Sequence, residues 1–157
     1  MIKDERPNVS EYFSRIAKVV ALRSTCLRHK FGCVVVDKFG QIVATGYNGA
    51  PSGIHHCLEI GCVKNKKNIK SGQGHEECRG VHSEMNALIQ SGKLAENGTL
   101  YTTGYPCKIC ARLIINAKIK KVVVSGKYSD LDGLKLLKEA YIEVEEVTLE
   151  DKPCISR

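Results

Sequence analysis

Tryptophan is absent from this chain, and among its 157 residues there are only three Phe and six Tyr. So few aromatics leave little to stack on unpaired bases, which argues against a binder of single-stranded nucleic acid. No apolar run approaches the roughly 20 residues that cross a bilayer, so no membrane-spanning helix is expected. The opening stretch MIKDERPNVSEYF mixes charges with Pro and Asn and lacks the apolar centre of a secretory signal. Internal repeats and low-complexity tracts are also missing. A cytoplasmic protein is the expectation.

What the chain does have is sulfur and positive charge. Eight cysteines are many for a reducing compartment, where disulfides are disfavoured and thiols bind metal, catalyse or pack. Cys33, beside Val34 and Val35, reads as a core residue. The net charge of +7 favours anionic partners such as nucleotides, RNA or acidic surfaces. Its densest run, Lys64 to Lys70, reads as a solvated loop. The length and the 43% hydrophobic content suit one domain, residues 1–157, with a core of its own.

Periodicity predicts a helix from Ser10, as N-cap, to about Thr25, with Phe13, Ile16, Ala17, Val20 and Ala21 on one face. Residues 32–37 and 41–46 are β-rich, and Lys38-Phe39-Gly40 suits a hairpin turn between them. From about 47 to 80 runs a Cys- and His-rich insertion without sustained periodicity, a length that in a compact domain is usually functional or pinned. Further on come a helix from His82 to a Gly92 stop, a strand at 99–103 and a helix opened by Pro106. A strand at 121–125, a helix at about 131–140 and a β-rich run at 142–147 follow. Strands alternating with helices predict a three-layer α/β domain, antiparallel at its opening hairpin and parallel in its later β-α-β units.

Two short words carry the chemistry, His82-Ser83-Glu84 and Pro106-Cys107-Lys108-Ile109-Cys110. Catalytic zinc takes three protein ligands and keeps one vertex for water, and His82, Cys107 and Cys110 supply three. Cys107 and Cys110 share a helix face, and the helix start lowers the pKa of their thiols toward the thiolate that binds metal. His82 and Glu84 would diverge in mid-helix. His82 is therefore expected at a helix N-terminus, leaving Glu84 free to act as proton shuttle at the open vertex. A lone CxxC or HxE is weak, but the two in this order form the recognised signature of the zinc deaminases.

With Gly46-Tyr47-Asn48-Gly49-Ala50-Pro51 and His82-Ser83-Glu84-Met85-Asn86-Ala87 added, the chain resembles the deoxycytidylate deaminase family. Arg23-Ser24-Thr25-Cys26 and Gly32-Cys33-Val34 extend the resemblance, which spans about 11–147. Ser83 departs from the Ala usual there. The resemblance implies the cytidine deaminase-like fold, a mixed five-stranded sheet with helices on both faces. It also implies a homo-oligomer, often a hexamer, with dCTP activating and dTTP inhibiting. The implied reaction is conversion of dCMP to dUMP and ammonia.

Asn48 is the first candidate for substrate contact, since its amide both donates and accepts. Thr103 and Tyr105 are expected to line the pocket and Tyr128 to stack on the pyrimidine, while Arg23 and Arg28 are candidates for the phosphate. The remaining thiols, Cys26, Cys57, Cys62, Cys78 and Cys154, together with His55, His56 and His75, include enough soft ligands for a structural zinc. Matching to the family points to Cys26, Cys57, His75 and Cys78, with Cys62 able to replace any of them. The rivals are a tRNA adenosine, riboflavin-pathway or free cytidine deaminase, and a non-catalytic zinc-stapled binding module.

Overall fold

Alternation of side chains along the central strand builds the layers. In the computed structural model, which describes residues 6–126 and 131–150, all of β1 (Gly32–Val36) is buried. Cys33 and Val35 join one apolar cluster while Val34 and Val36 join another, because successive strand residues face opposite sides of a sheet. On the second side α1 (Val9–Ala21) contributes Phe13 and Ala17. On the first lie α4 (Ser83–Ser91), α5 (Lys108–Asn116) and α6 (Asp132–Glu139), through Ala87, Ala111, Ile114 and Leu137. The result is the expected α-β-α sandwich.

The remaining strands are β2 (Ile42–Tyr47), β3 (Thr99–Thr102), β4 (Lys121–Val124) and β5 (Glu143–Glu146). Their order is β2-β1-β3-β4-β5. β1 runs antiparallel to both β2 and β3, and β3, β4 and β5 are parallel. The five strands and their mixed direction are those expected. No helix among the described residues is long and apolar enough to cross a membrane.

Two element readings are corrected. α1 begins earlier, because Asn8 rather than Ser10 caps it: the Glu11 N–H donates to Asn8 Oδ1 at 2.9 Å and the Asn8 N–H donates to Glu11 Oε2 at 3.1 Å. It ends at Ala21, not near Thr25, since the Ser24 hydroxyl is drawn off to Asn48 and the following chain turns with it. The insertion also holds regular pieces, α2 (Cys57–Ile60), α3 (Val63–Lys66) and a 3₁₀ turn at His75–Glu77. Each is too short for its periodicity to register in a sequence window.

Candidate active site

Two helices begin at the same spot. His82 is the N-cap of α4 and Cys107 the N-cap of α5, both with extended backbone (ψ 156° and 169°), so the incoming loops set the direction of their side chains. Cys110 follows one turn into α5. Close backbone approach holds both helix starts. A Cβ on Gly46 of β2 would run into the Ser83 carbonyl, and one on Gly133 of α6 would run into the carbonyl of Pro106. Only glycine lets the elements meet there.

His82 Nδ1 lies 3.5 Å from Cys107 Sγ and 3.4 Å from Cys110 Sγ. Tetrahedral zinc with ordinary Zn–N and Zn–S bonds separates such atoms by about 3.6 Å. The donor set and its spacing therefore fit zinc. Among the described residues these three are the one group of potential ligands whose atoms all lie within 4.8 Å of one another.

The electrostatics favour a thiolate. The Cys110 thiol donates to Cys107, which with His82 holds Cys107 down at about 3. The same bond and burial push Cys110 up. His82 is raised, chiefly by its hydrogen bond with Cys107.

Glu84 stands beside the triangle without belonging to it. It is 6% exposed, accepts a hydrogen bond from Ser83 Oγ at Oε2 (3.0 Å) and lies 3.7 Å from Cys110 Sγ. Burial raises its pKa, the direction that makes a carboxyl useful for carrying protons. His82, Glu84 and Cys107 open onto a cleft of about 920 Å³, counting the space open to solvent at its mouth.

The Asn48 loop reaches this cleft because Gly49 and Val81 exchange backbone hydrogen bonds of 3.1 and 2.8 Å, tying it to the residue before His82. Asn48 lines the cleft, but its Oδ1 is spent on Ser24 Oγ (2.7 Å) and the Phe31 N–H (2.8 Å). Its Nδ2 donates to His29 O at 2.8 Å. One N–H remains for a ligand, so Asn48 offers a donor and no acceptor.

Tyr105 lines the cleft, with its hydroxyl donating to Glu146, which holds its pKa up at about 12. Arg28 also lines it. Two expected contacts are not brought there. Thr103 stands off the cleft wall, its hydroxyl accepting from the Gly32 N–H at 3.0 Å, and Arg23 is exposed on the turn after α1. Tyr128 and Cys154 lie outside the described residues.

In the insertion, the thiols of Cys62, Cys26 and Cys78 are near enough to Cys57 to add to the effect of burial and raise its pKa. The backbone N–H groups of Arg28 and Gly80 point at Cys26 Sγ and Cys78 Sγ, each at 3.4 Å. The His75 ring meets that of His82 edge-on, with centroids 5.2 Å apart, and lines the cleft together with Cys26, Cys57, Cys62 and Cys78.

Sequence reasoning misses Lys64. Its lysine-rich surroundings read as solvated, yet it is 7% exposed and lines the cleft. His29 and Ser71 line it too, again without a signal in the sequence. No local pattern marks any of the three.

A three-layer α-β-α sandwich with one His and two Cys at paired helix starts, and a buried Glu alongside, defines the zinc-deaminase class of domains. Residues 7–126 match the model of the cytidine and deoxycytidylate deaminase zinc-binding region, and the chain belongs to that family. It is 35% identical over 153 residues to deoxycytidylate deaminase of Saccharomyces cerevisiae, a match covering 96% of this chain and 48% of the yeast protein. ComE operon protein 2 of Bacillus subtilis is likewise 35% identical over 153 residues, covering 94% and 75%. The crystal structure of dCMP deaminase from the cyanophage S-TIM5 in complex with dCMP and dUMP is similar with a TM-score of 0.72. Its identity is 30%, over 90% of this chain and 98% of that one. The chain spans about half the length of the Saccharomyces relative.

Proposed function

We propose that this chain hydrolyses dCMP to dUMP and ammonia. In the pyrimidine ring the bond from C4 to its amino nitrogen breaks and one from C4 to a water oxygen forms. A zinc ion held by His82, Cys107 and Cys110 supplies, when bound, Lewis acidity toward that water. Glu84 takes one proton from the water at Oε2 and gives it to the ring nitrogen, then takes the second from the oxygen newly bonded to C4 and gives it to the amine, which leaves as ammonia. Ser83 steadies that carboxylate, the remaining Asn48 N–H donates to the nucleotide, and Tyr105 closes one side of the cleft. The single observation behind this reading is Glu84, buried within contact of the ligand triangle yet outside it. A purely structural zinc has no use for such an acid.

The same reading takes residues 1–157 as one deaminase domain and the protein as a cytoplasmic homo-oligomer, up to a hexamer, regulated by dCTP and dTTP. The outer face of α1 supports association, since it leaves Val9, Tyr12, Val19 and Leu22 exposed. A second, structural zinc belongs to it as well, held by Cys26, Cys57, His75 and Cys78, with Cys62 able to replace any of them. The nearness of Cys62, Cys26 and Cys78 to Cys57, and the backbone N–H groups aimed at Cys26 and Cys78, support that site.

Ammonia release measured side by side from dCMP, cytidine and a tRNA anticodon stem-loop tests the substrate. Turnover of dCMP above the others is expected; none from dCMP with zinc-loaded protein rejects the proposal. Glu84→Gln is expected to cost at least about a hundredfold in kcat while the zinc content holds.

A further inference from the structure

Glu84 owes its direction to the residue before it. Successive side chains on a helix do not face each other, so a hydrogen bond between neighbours is no routine helix pair. Yet Ser83 Oγ donates to Glu84 Oε2 at 3.0 Å, which draws the carboxylate in beside the ligand triangle, 3.7 Å from Cys110 Sγ. Ser83 has little freedom to do anything else. It is 0% exposed, and its carbonyl stands so close to β2 that a Cβ on Gly46 would come within 2.2 Å of it. Among the described residues Glu84 is the one partner of its hydroxyl.

Two side-chain donors, the Ser83 hydroxyl and the Cys110 thiol, meet at Oε2. A cysteine that ligates zinc does so as thiolate, so in the zinc-loaded protein Cys110 has no proton to donate and its charge opposes the carboxylate. Ser83 is then the side chain left to hold Oε2. A carboxylate oxygen carries two lone pairs, and this hydrogen bond leaves one of them for the proton in transit. We propose that Ser83 is a positioning residue for the chemical step: with Ser where the family usually has Ala, this chain aims Glu84 by a hydrogen bond and not by packing alone. This rests on the dCMP reading and deepens it by naming what fixes the proton carrier. Proton transfer at C4 needs the carboxylate within about 0.5 Å of its productive place, whereas binding of the nucleotide does not. Loss of the hydroxyl therefore falls on kcat and spares KM.

Ser83→Ala removes one oxygen from a buried place and adds nothing. It is expected to lower kcat for dCMP roughly tenfold, with KM within about twofold and zinc content unchanged. A nucleotide analogue bearing a hydroxyl on a tetrahedral C4 should bind more weakly by about the same factor, and dUMP as well as before. In a Glu84→Gln background the same substitution should cost less than about twofold, whereas a role in the fold alone would cost the same factor in both backgrounds. A kcat loss below about twofold overturns the proposal, as does a fall in zinc content that accounts for the loss. So does a crystal structure of zinc-loaded Ser83→Ala in which the Glu84 carboxylate keeps its wild-type place. Wild-type protein inactive on dCMP defeats the dCMP reading alone. The kinetic comparison then moves to whichever of cytidine and the anticodon stem-loop releases ammonia, and the position of Glu84 in the two crystal structures decides the role of Ser83 in every case.

Discussion

Asn48 shows how a conspicuous side chain can serve the fold before it serves a ligand. Its amide and carbonyl groups link Ser24, His29 and Phe31, so the loop after α1 and the loop after β2 share one buried amide. Asn48→Ala leaves several buried partners unpaired and should destabilise the protein by about 2–4 kcal/mol in denaturant unfolding. The metal triangle and Glu84 are legible in the sequence because their spacing within each word is set by a helix start, a local device. Thr103, Arg23 and Lys64 are not, because nothing within a few residues of them states which tertiary surface they meet. For Lys64 the neighbouring lysines and asparagines, exposed as expected, conceal the one residue that is buried.

Among the elements, the contact of α4 with β2 matters most to the site. Gly46→Ala places a methyl group against the Ser83 carbonyl and the Ala87 amide, so α4 must shift and carry His82 and Glu84 with it. A loss of about 1–3 kcal/mol is expected in thermal or denaturant unfolding, with a fall in zinc occupancy measured by elemental analysis. The β4–β5 pair gives a pH effect. Lys121 Nζ bridges Glu143 (2.8 Å) and Glu145 (2.7 Å), and its hydrogen bond holds Glu145 below its usual value. A depressed carboxylate contributes stability above its unfolded pKa and loses it as pH falls through the folded value. Glu145→Gln should therefore cost less than about 1 kcal/mol at pH 7, both partners being partly exposed, and nearly nothing at about pH 3. Comparison of unfolding midpoints at the two pH values checks this. The strands and the longer helices can be read from their periods, whereas α2 and α3 cannot, being single turns held by tertiary contacts.

The molecule as a whole is a sandwich whose functional cleft lies between two helix starts and a cysteine-rich insertion. Elemental analysis should find two zinc ions per chain; one would remove the thiol site. Strong chelation should abolish ammonia release, and protease should then cut first within 57–80, the segment with least apolar core beneath it. The layer order is readable from alternating strands and helices. The partnership of distant segments in the cleft is not, because it depends on which loops the sheet order brings side by side.

The sheet also ends in two unlike borders. Among the described residues β2 is one and β5 the other, and β5 carries three glutamates in four positions. Two molecules meeting border to border along β5 would set these acids against one another, so neutral solution discourages ribbon-like stacking.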